Sequence, residues 1–397
     1  MSRTAASKRV ASLKPSIFSV ISELAAKAGA VNLGQGFPDF DGPEALKEVA
    51  REALGAGRNQ YAPSVGVKAL REVVAAHQER FYGLKLDPDR SVVITCGATE
   101  ALYAAVLALV DPGDEVVLFE PFYDSYVPAV EAAGGACRFV RLRPPEGERR
   151  AWWFDEAELA AAFGPKTKLL LLNTPHNPTG KVFTRAELET IAGHVQKWDV
   201  RVVADEVYEH LVFAPAVHVP MATLPGMAER TLTVGSAGKT FSFTGWKVGW
   251  ATGPADLRNA LQSVHQFTTF CTPAPLQLAA AAGLGFPQAW YADFTSSYQQ
   301  RRDRLAGILQ RAGLTCFPTE GSYFLLADLH AAGFRDDADF SRWLIEQVGV
   351  ASIPVSALFA QPERPESRRY ARFAFCKTDA TMDAAGARFE RAGTLRG

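Results

Sequence analysis

Short apolar runs alternate along this chain with stretches whose apolar residues recur at helical spacing. Ser91–Cys96 reads SVVITC and is followed by GATEALYAAVLALV, a helical pattern. DEVVLFEP (Asp114–Pro121) precedes a second helical stretch through Val127–Ala133. KLLLLNTP (Lys168–Pro175), VRVVADEV (Val200–Val207) and RTLTVGSA (Arg230–Ala237) are similar runs, each ending in a polar loop. Runs that are apolar on both faces and separated by helices predict a parallel sheet covered on both sides, an α/β fold. Ligands in such sheets bind beyond the carboxyl ends of the strands, so the polar tails of the runs are the candidate site.

The texture changes near Gly285. A long charged helix, WYADFTSSYQQRRDRLAGILQRAG, leads to GSYFLLADL and RYARFAFC, which read as strands with helices on one side. The expected organisation is a large α/β domain over 45–284, with 1–44 and 285–397 forming a smaller α+β domain. QPERPESRR (Gln361–Arg369) reads as a surface loop. The chain shows no internal repeat.

Size and charge narrow the function. A chain of 397 residues, 48% hydrophobic, can bury a large core and a smaller one. A formal net charge of −1, from 42 basic and 43 acidic residues, argues against a nucleic-acid surface. No apolar stretch reaches the roughly 20 residues of a membrane span. The N-terminus, MSRTAASKRVASLKPSIFSV, lacks the apolar core of a signal peptide and reads as a mature cytoplasmic start. Cys96, Cys137, Cys271, Cys316 and Cys376 are scattered with no CxxC pair, which predicts ordinary buried thiols and no metal site.

The strand tails carry the chemistry. TVGSAGKTFSFTGWKVGW (Thr233–Trp250) supplies a Gly/Ser turn, the Ser236 hydroxyl and two lysines, the makings of a phosphate cradle. A nucleotide P-loop would need glycine five residues before Gly238, where Thr233 stands. Asp205, directly after an apolar run, is either a carboxylate aimed into a crevice or a helix N-cap. Asn173 and Asn177 lie in NTPHNPTG, whose ordinary reading is a stiff turn. GATE (Gly97–Glu100) is a second candidate anion site or a tight turn. A lysine amine, a carboxylate, an amide, the Tyr208 phenol and a phosphate cradle at one sheet edge are together what pyridoxal phosphate requires.

With these residues in view, the chain resembles the fold-type I, class I pyridoxal-phosphate aminotransferases, in the branch of methionine aminotransferase and kynurenine–oxoglutarate (glutamine) transaminases. The resemblance runs from about Ile17 to Thr381 and is carried by VNLGQGFPDF, NQYAP, NTPHNPTGKVF, DEVYEH, GSAGKTFSFTGWKVGW, IPVS and RFAFCK. It implies a mainly parallel central sheet in the large domain. It also implies that Lys239 carries the Schiff base, that Asp205 pairs with the pyridine nitrogen, and that Asn177 and Tyr208 bind the ring phenolate. Ser236, Lys247 and backbone groups of Ala98 and Thr99 would hold the phosphate, with Asn173 also at the cofactor. Tyr123 would stack on the ring, and Tyr61 would reach the phosphate of a partner subunit in a homodimer. Arg372, with Asn177 and the Gly34 backbone, would grip the substrate carboxylate.

The implied reaction is ping-pong transamination between an amino acid and a 2-oxo acid. Ile17, Phe18, Tyr61, Tyr123 and Phe270 would line an apolar side-chain pocket suited to methionine or aromatic donors. No second arginine is evident for a distal carboxylate. Bulkier groups replace Ser16, Thr99 and Cys271 in kynurenine-preferring relatives, which argues against kynurenine. Competing readings are a kynurenine–oxoglutarate transaminase or a cysteine-conjugate or cystathionine β-lyase on the same cofactor, an amino-acid-sensing transcription regulator, and a dinucleotide dehydrogenase. The regulator would need a DNA-binding segment ahead of Ile17, and the dehydrogenase a GxGxxG that GQGFPDF does not match.

Overall fold

The computed structural model describes Ser7 and residues 15–396; the rest of the N-terminal stretch read above as a mature start lies outside the described residues. Thirteen strands follow in chain order: β1 (Val31–Asn32), β2 (Val92–Thr95), β3 (Glu115–Glu120), β4 (Ala136–Arg141), β5 (Thr167–Asn173), β6 (Arg201–Asp205), β7 (Thr231–Ser236), β8 (Gly249–Thr252), β9 (Thr315–Cys316), β10 (Phe324–Asp328), β11 (Val350–Ala351), β12 (Ile353–Pro354) and β13 (Tyr370–Ala374).

Seven of them form one sheet in the order β2-β8-β7-β6-β5-β3-β4. The pairings from β4 to β7 are all parallel. β8 runs antiparallel to both its neighbours, β7 and β2. The sheet is thus mainly parallel, with one reversed strand beside the loop that carries both lysines. Alternation along the strands shows why the runs are continuously apolar. Leu169, Leu171 and Val203 face one core with Ala101, Ala105 and Leu261. Leu170, Leu172 and Val202 face the opposite core with Leu188 and Ile191. The inner strands are buried on both faces, as a sheet with helices on both sides requires.

Four short strands, in the order β12-β13-β10-β9, form an antiparallel sheet. Its central strand β13 sets Arg372 opposite Leu326 and Ile353. β1 pairs in parallel with β11, and the helix Ile17–Lys27 packs Ile21 and Ala25 against Ile345, Ala351 and Ile353. No helix among the described residues is long and apolar enough to cross a membrane.

Two details differ from the sequence reading, and one alternative it left open is closed. β4 and β8 were not among the apolar runs singled out, because β4 exposes alternate residues and β8, GWAT, has only two adjacent apolar side chains between a glycine and a threonine. Asp205 caps no helix: the chain turns over 206–210, and the Val207 N–H donates weakly to its Oδ1 at 3.4 Å. All five cysteines are free, but only Cys376 is buried; the other four are half-buried.

Candidate active site

The carboxyl ends of three adjacent strands meet at one place. Register sets Asn173, the last residue of β5, beside Asp205, the last of β6, while β7 ends at Ser236. Asn173 braces this edge: its Nδ2 donates to the Asp205 carbonyl at 2.9 Å and its Oδ1 accepts from the Asn177 N–H at 2.7 Å. A cavity of about 280 Å³ opens above the edge. Phe18, Ala98, Thr99, Tyr123, Asn173, Asn177, Asp205, Tyr208, Ser236, Lys239, Lys247 and Arg372 all line it.

The remaining site residues lie elsewhere. Gly34 sits behind Arg372, whose Nη2 donates to its carbonyl at 2.9 Å. Tyr61, 85% exposed, and Phe270 are at the surface, their rings 5.3 Å apart, and neither lines the cavity. Ile17 does not line it either; it packs into apolar clusters beside the helix it begins.

Burial governs the charges. Lys239 stands just after β7, and desolvation pulls its amine down to about 8, with Arg372 and Lys247 adding to the fall and Asp205 opposing it. The same cause pushes Asp205 up to about 6, although its Oδ2 accepts from the Tyr126 hydroxyl at 2.5 Å. Arg372 is 1% exposed and lies over the faces of Phe324 and Phe18, at 4.0 and 4.6 Å from their centroids. Burial lowers it to about 10, still cationic at neutral pH. Its Nη1 donates to Asn177 Oδ1 at 3.0 Å, while its Nε is buried without a partner. An unpaired N–H on a buried guanidinium is costly unless an anion arrives.

The donor set fits pyridoxal phosphate. The helix Ala98–Leu109 presents its first amides at the cavity, and Gly97 reaches that start at φ 80°, the left-handed region that glycine enters without strain. A methyl group on Gly249 would lie 2.6 Å from the Ala98 nitrogen; one on Gly97 would lie 3.2 Å from Lys247 Nζ. The two glycines keep open a niche between a helix N-terminus and a lysine, suited to a phosphate. Opposite it, Lys239 offers an amine, Asp205 a buried carboxyl, and Tyr208 and Asn177 polar groups.

Two residues of the site were not found from the sequence. Tyr126 holds Asp205, and Tyr323 accepts a hydrogen bond from Lys239 Nζ at 2.7 Å. They lie 79 and 84 residues from those partners, on other elements, so no local spacing could have revealed them.

Residues 28–389 match the family described as aminotransferase class I and II. The chain is 45% identical over 386 residues to the probable N-succinyldiaminopimelate aminotransferase DapC of Mycobacterium tuberculosis, covering 95% of this chain and 96% of that protein. The solved structure of the N-succinyldiaminopimelate aminotransferase from that organism superimposes with a TM-score of 0.93 at 44% identity, over 98% of this chain and all of the other. The methionine aminotransferase of Escherichia coli is 42% identical over 383 residues, 96% of each chain. Kynurenine–oxoglutarate transaminase 1 of Rattus norvegicus is 39% identical over 417 residues, 98% of this chain and 99% of that one.

Proposed function

Given that the chain belongs to the class I and II aminotransferases, enzymes that use pyridoxal phosphate, we propose that it moves the amino group of a methionine-like or aromatic L-amino acid to a 2-oxo acid by a ping-pong mechanism. The observation that carries this reading is the convergence of Lys239, Asp205, Asn177, Tyr208 and Arg372 on one cavity.

Pyridoxal phosphate supplies an aldehyde that condenses with amines and a ring that accepts the electron pair left on the substrate α-carbon. The chain supplies everything else. Lys239 would hold the aldehyde in the resting enzyme and, once freed, use Nζ to take the proton from the α-carbon. An amine near 8 suits a general base working close to neutral pH. Asp205, braced by Tyr126, would keep a proton on the ring nitrogen. Tyr208 and the Asn177 amide would bind the ring oxygen. Ser236, Lys247 and the amides of Ala98 and Thr99 would take the phosphate, and Tyr123 would cover the ring. Arg372 would grip the substrate carboxylate with its unpaired N–H groups, Asn177 and Gly34 holding it in orientation.

Substrate choice follows from counting cations. The cavity is lined by three, Lys239, Lys247 and Arg372, each with a role already assigned. Among the described residues no fourth lines the cavity to meet a distal carboxylate, whereas Phe18, Phe37, Tyr123 and Phe324 offer apolar and aromatic surface. Donors with an acidic side chain, including the N-succinyl compound in the name of the Mycobacterium relative, would find no further cationic partner among the described residues that line the cavity.

The test mixes the loaded enzyme with single amino acids and follows the change in cofactor absorbance in each half-reaction. Methionine and aromatic donors should react at least tenfold faster than aspartate or N-succinyldiaminopimelate, the scale of about one lost charge-assisted contact. Equal rates would overturn the substrate reading. Lys239→Ala should lose the visible absorbance of the bound cofactor and at least about two orders of magnitude in rate. An unchanged spectrum in that variant would remove Lys239 from its role.

A further inference from the structure

Three consecutive carbonyls of the loop 35–37 at the mouth of the cavity are tied down from the antiparallel sheet. Lys377 Nζ donates to Gln35 O at 3.1 Å and to Phe37 O at 2.9 Å. The Tyr323 hydroxyl donates to Gly36 O between them at 2.5 Å. The same hydroxyl oxygen accepts from Lys239 Nζ. Tyr323 has no exposed surface.

The backbone carbonyl sets the direction of both bonds. A carbonyl cannot donate, so the phenolic proton must point at Gly36 O; turned toward Lys239, it would leave two oxygens facing each other with lone pairs alone. The phenol oxygen can therefore only accept from the lysine. One N–H of the amine is committed to Tyr323, so the nitrogen lone pair is turned away from that phenol on a side chain that lines the cavity. From this geometry we propose that Tyr323 is a positioning residue for Lys239, aiming the lone pair of the free amine at the substrate α-carbon and coupling that aim to the loop 35–37.

This inference rests on the functional reading above and adds a residue to it. It also gives Tyr323 a signature opposite in sign to simple loosening of the site. The groups facing Lys239 are Asp205 at the end of β6, Arg372 and Cys376 on and after β13, Lys247 from its own loop, and the phenols Tyr208 and Tyr323. Tyr323 is the one that accepts a hydrogen bond from the amine, and an acceptor favours the protonated form. Removing it should ease deprotonation of Lys239 while spoiling its aim. Admitting water would instead return the amine toward the ordinary lysine value of 10.5.

The experiment compares Tyr323→Phe with wild type in two ways. In the apoenzyme, reductive methylation of Lys239 at a series of pH values, read by peptide mass spectrometry, gives the midpoint for appearance of the free base. We expect this midpoint to fall by about half a pH unit to one unit, the scale of one hydrogen bond. In the loaded enzyme kcat should fall about tenfold to hundredfold, with a much smaller change in KM, as for a misaimed base. Lys377→Met, which loosens the same loop without touching Lys239, should leave the midpoint in place. Should Tyr323→Phe fail to fold, 3-fluorotyrosine at 323 keeps both bonds with a weaker acceptor and should lower the midpoint by a smaller step. A midpoint that stays or rises overturns the proposal, as does an unchanged kcat. Borohydride reduction of the loaded enzyme with peptide mapping separates the two readings: a label away from Lys239 removes the functional assignment itself, and a label on Lys239 with an unmoved midpoint removes only the role of Tyr323.

Discussion

Desolvation acts in opposite senses on the acids and bases gathered behind β6. It lowers Lys239 and raises Asp205, and just beyond them it raises Glu209 to about 7, although the Tyr82 hydroxyl and His218 pull the other way. Glu209 makes the effect measurable because it lies outside the catalytic set. Its folded value is above the unfolded 4.5, so between those two values the folded chain holds a proton that the unfolded chain has lost. The stability it contributes is full below 4.5 and is lost as pH rises through about 7. Glu209→Gln should therefore gain on wild type by roughly 1.4 kcal/mol per pH unit across that window, read from urea midpoints at pH 5 and pH 7. A difference that does not change with pH would mean that Glu209 titrates as an ordinary surface carboxylate.

At the scale of elements, the site depends on how closely one strand approaches one helix. β8 returns antiparallel beside β2, and Gly249 at its start lies under the first turn of the helix Ala98–Leu109. Since its missing side chain would meet backbone at 2.6 Å, Gly249→Ala cannot be absorbed by a side-chain rotation. The helix start must move and take its amides with it. We expect pyridoxal phosphate to bind at least about tenfold more weakly, a loss comparable to one charge-assisted hydrogen bond, as measured by equilibrium titration of the apoenzyme. Unchanged affinity would show that the amides of this helix do not hold the phosphate. The glycine was visible in the sequence, but its reason was not, because the reason is Ala98, a neighbour 151 residues earlier in the chain.

The whole molecule leaves an aromatic surface uncovered. Phe267 is 87% exposed, and Phe270, three residues on, pairs with the exposed Tyr61, a cost in water that a second copy of the chain would remove. In the homodimer that the family resemblance implies, Tyr61 would reach its partner's phosphate site. Sedimentation at micromolar concentration should show a dimer. Tyr61→Phe should weaken cofactor binding about tenfold without dissociating it, since only the hydroxyl contact is lost. A monomer that retains full cofactor affinity would reject this assembly.

What could be read from the chain alone was whatever is written within a few residues. Strands buried on both faces appear as unbroken apolar runs, and a parallel sheet presents its site where those runs end. Asn173, Asp205, Ser236 and Lys239 stood out as candidates for that reason, whereas Arg372 entered only through the family resemblance. Tertiary structure alone decided which groups share one proton or one cavity: Tyr126 on Asp205, Tyr323 between Lys239 and Gly36, and the unpaired Nε of Arg372. It also set the charges, since the desolvation that lowers an amine and raises a carboxyl comes from packing by distant segments. Periodicity records what one element buries; it carries no record of what is buried against it.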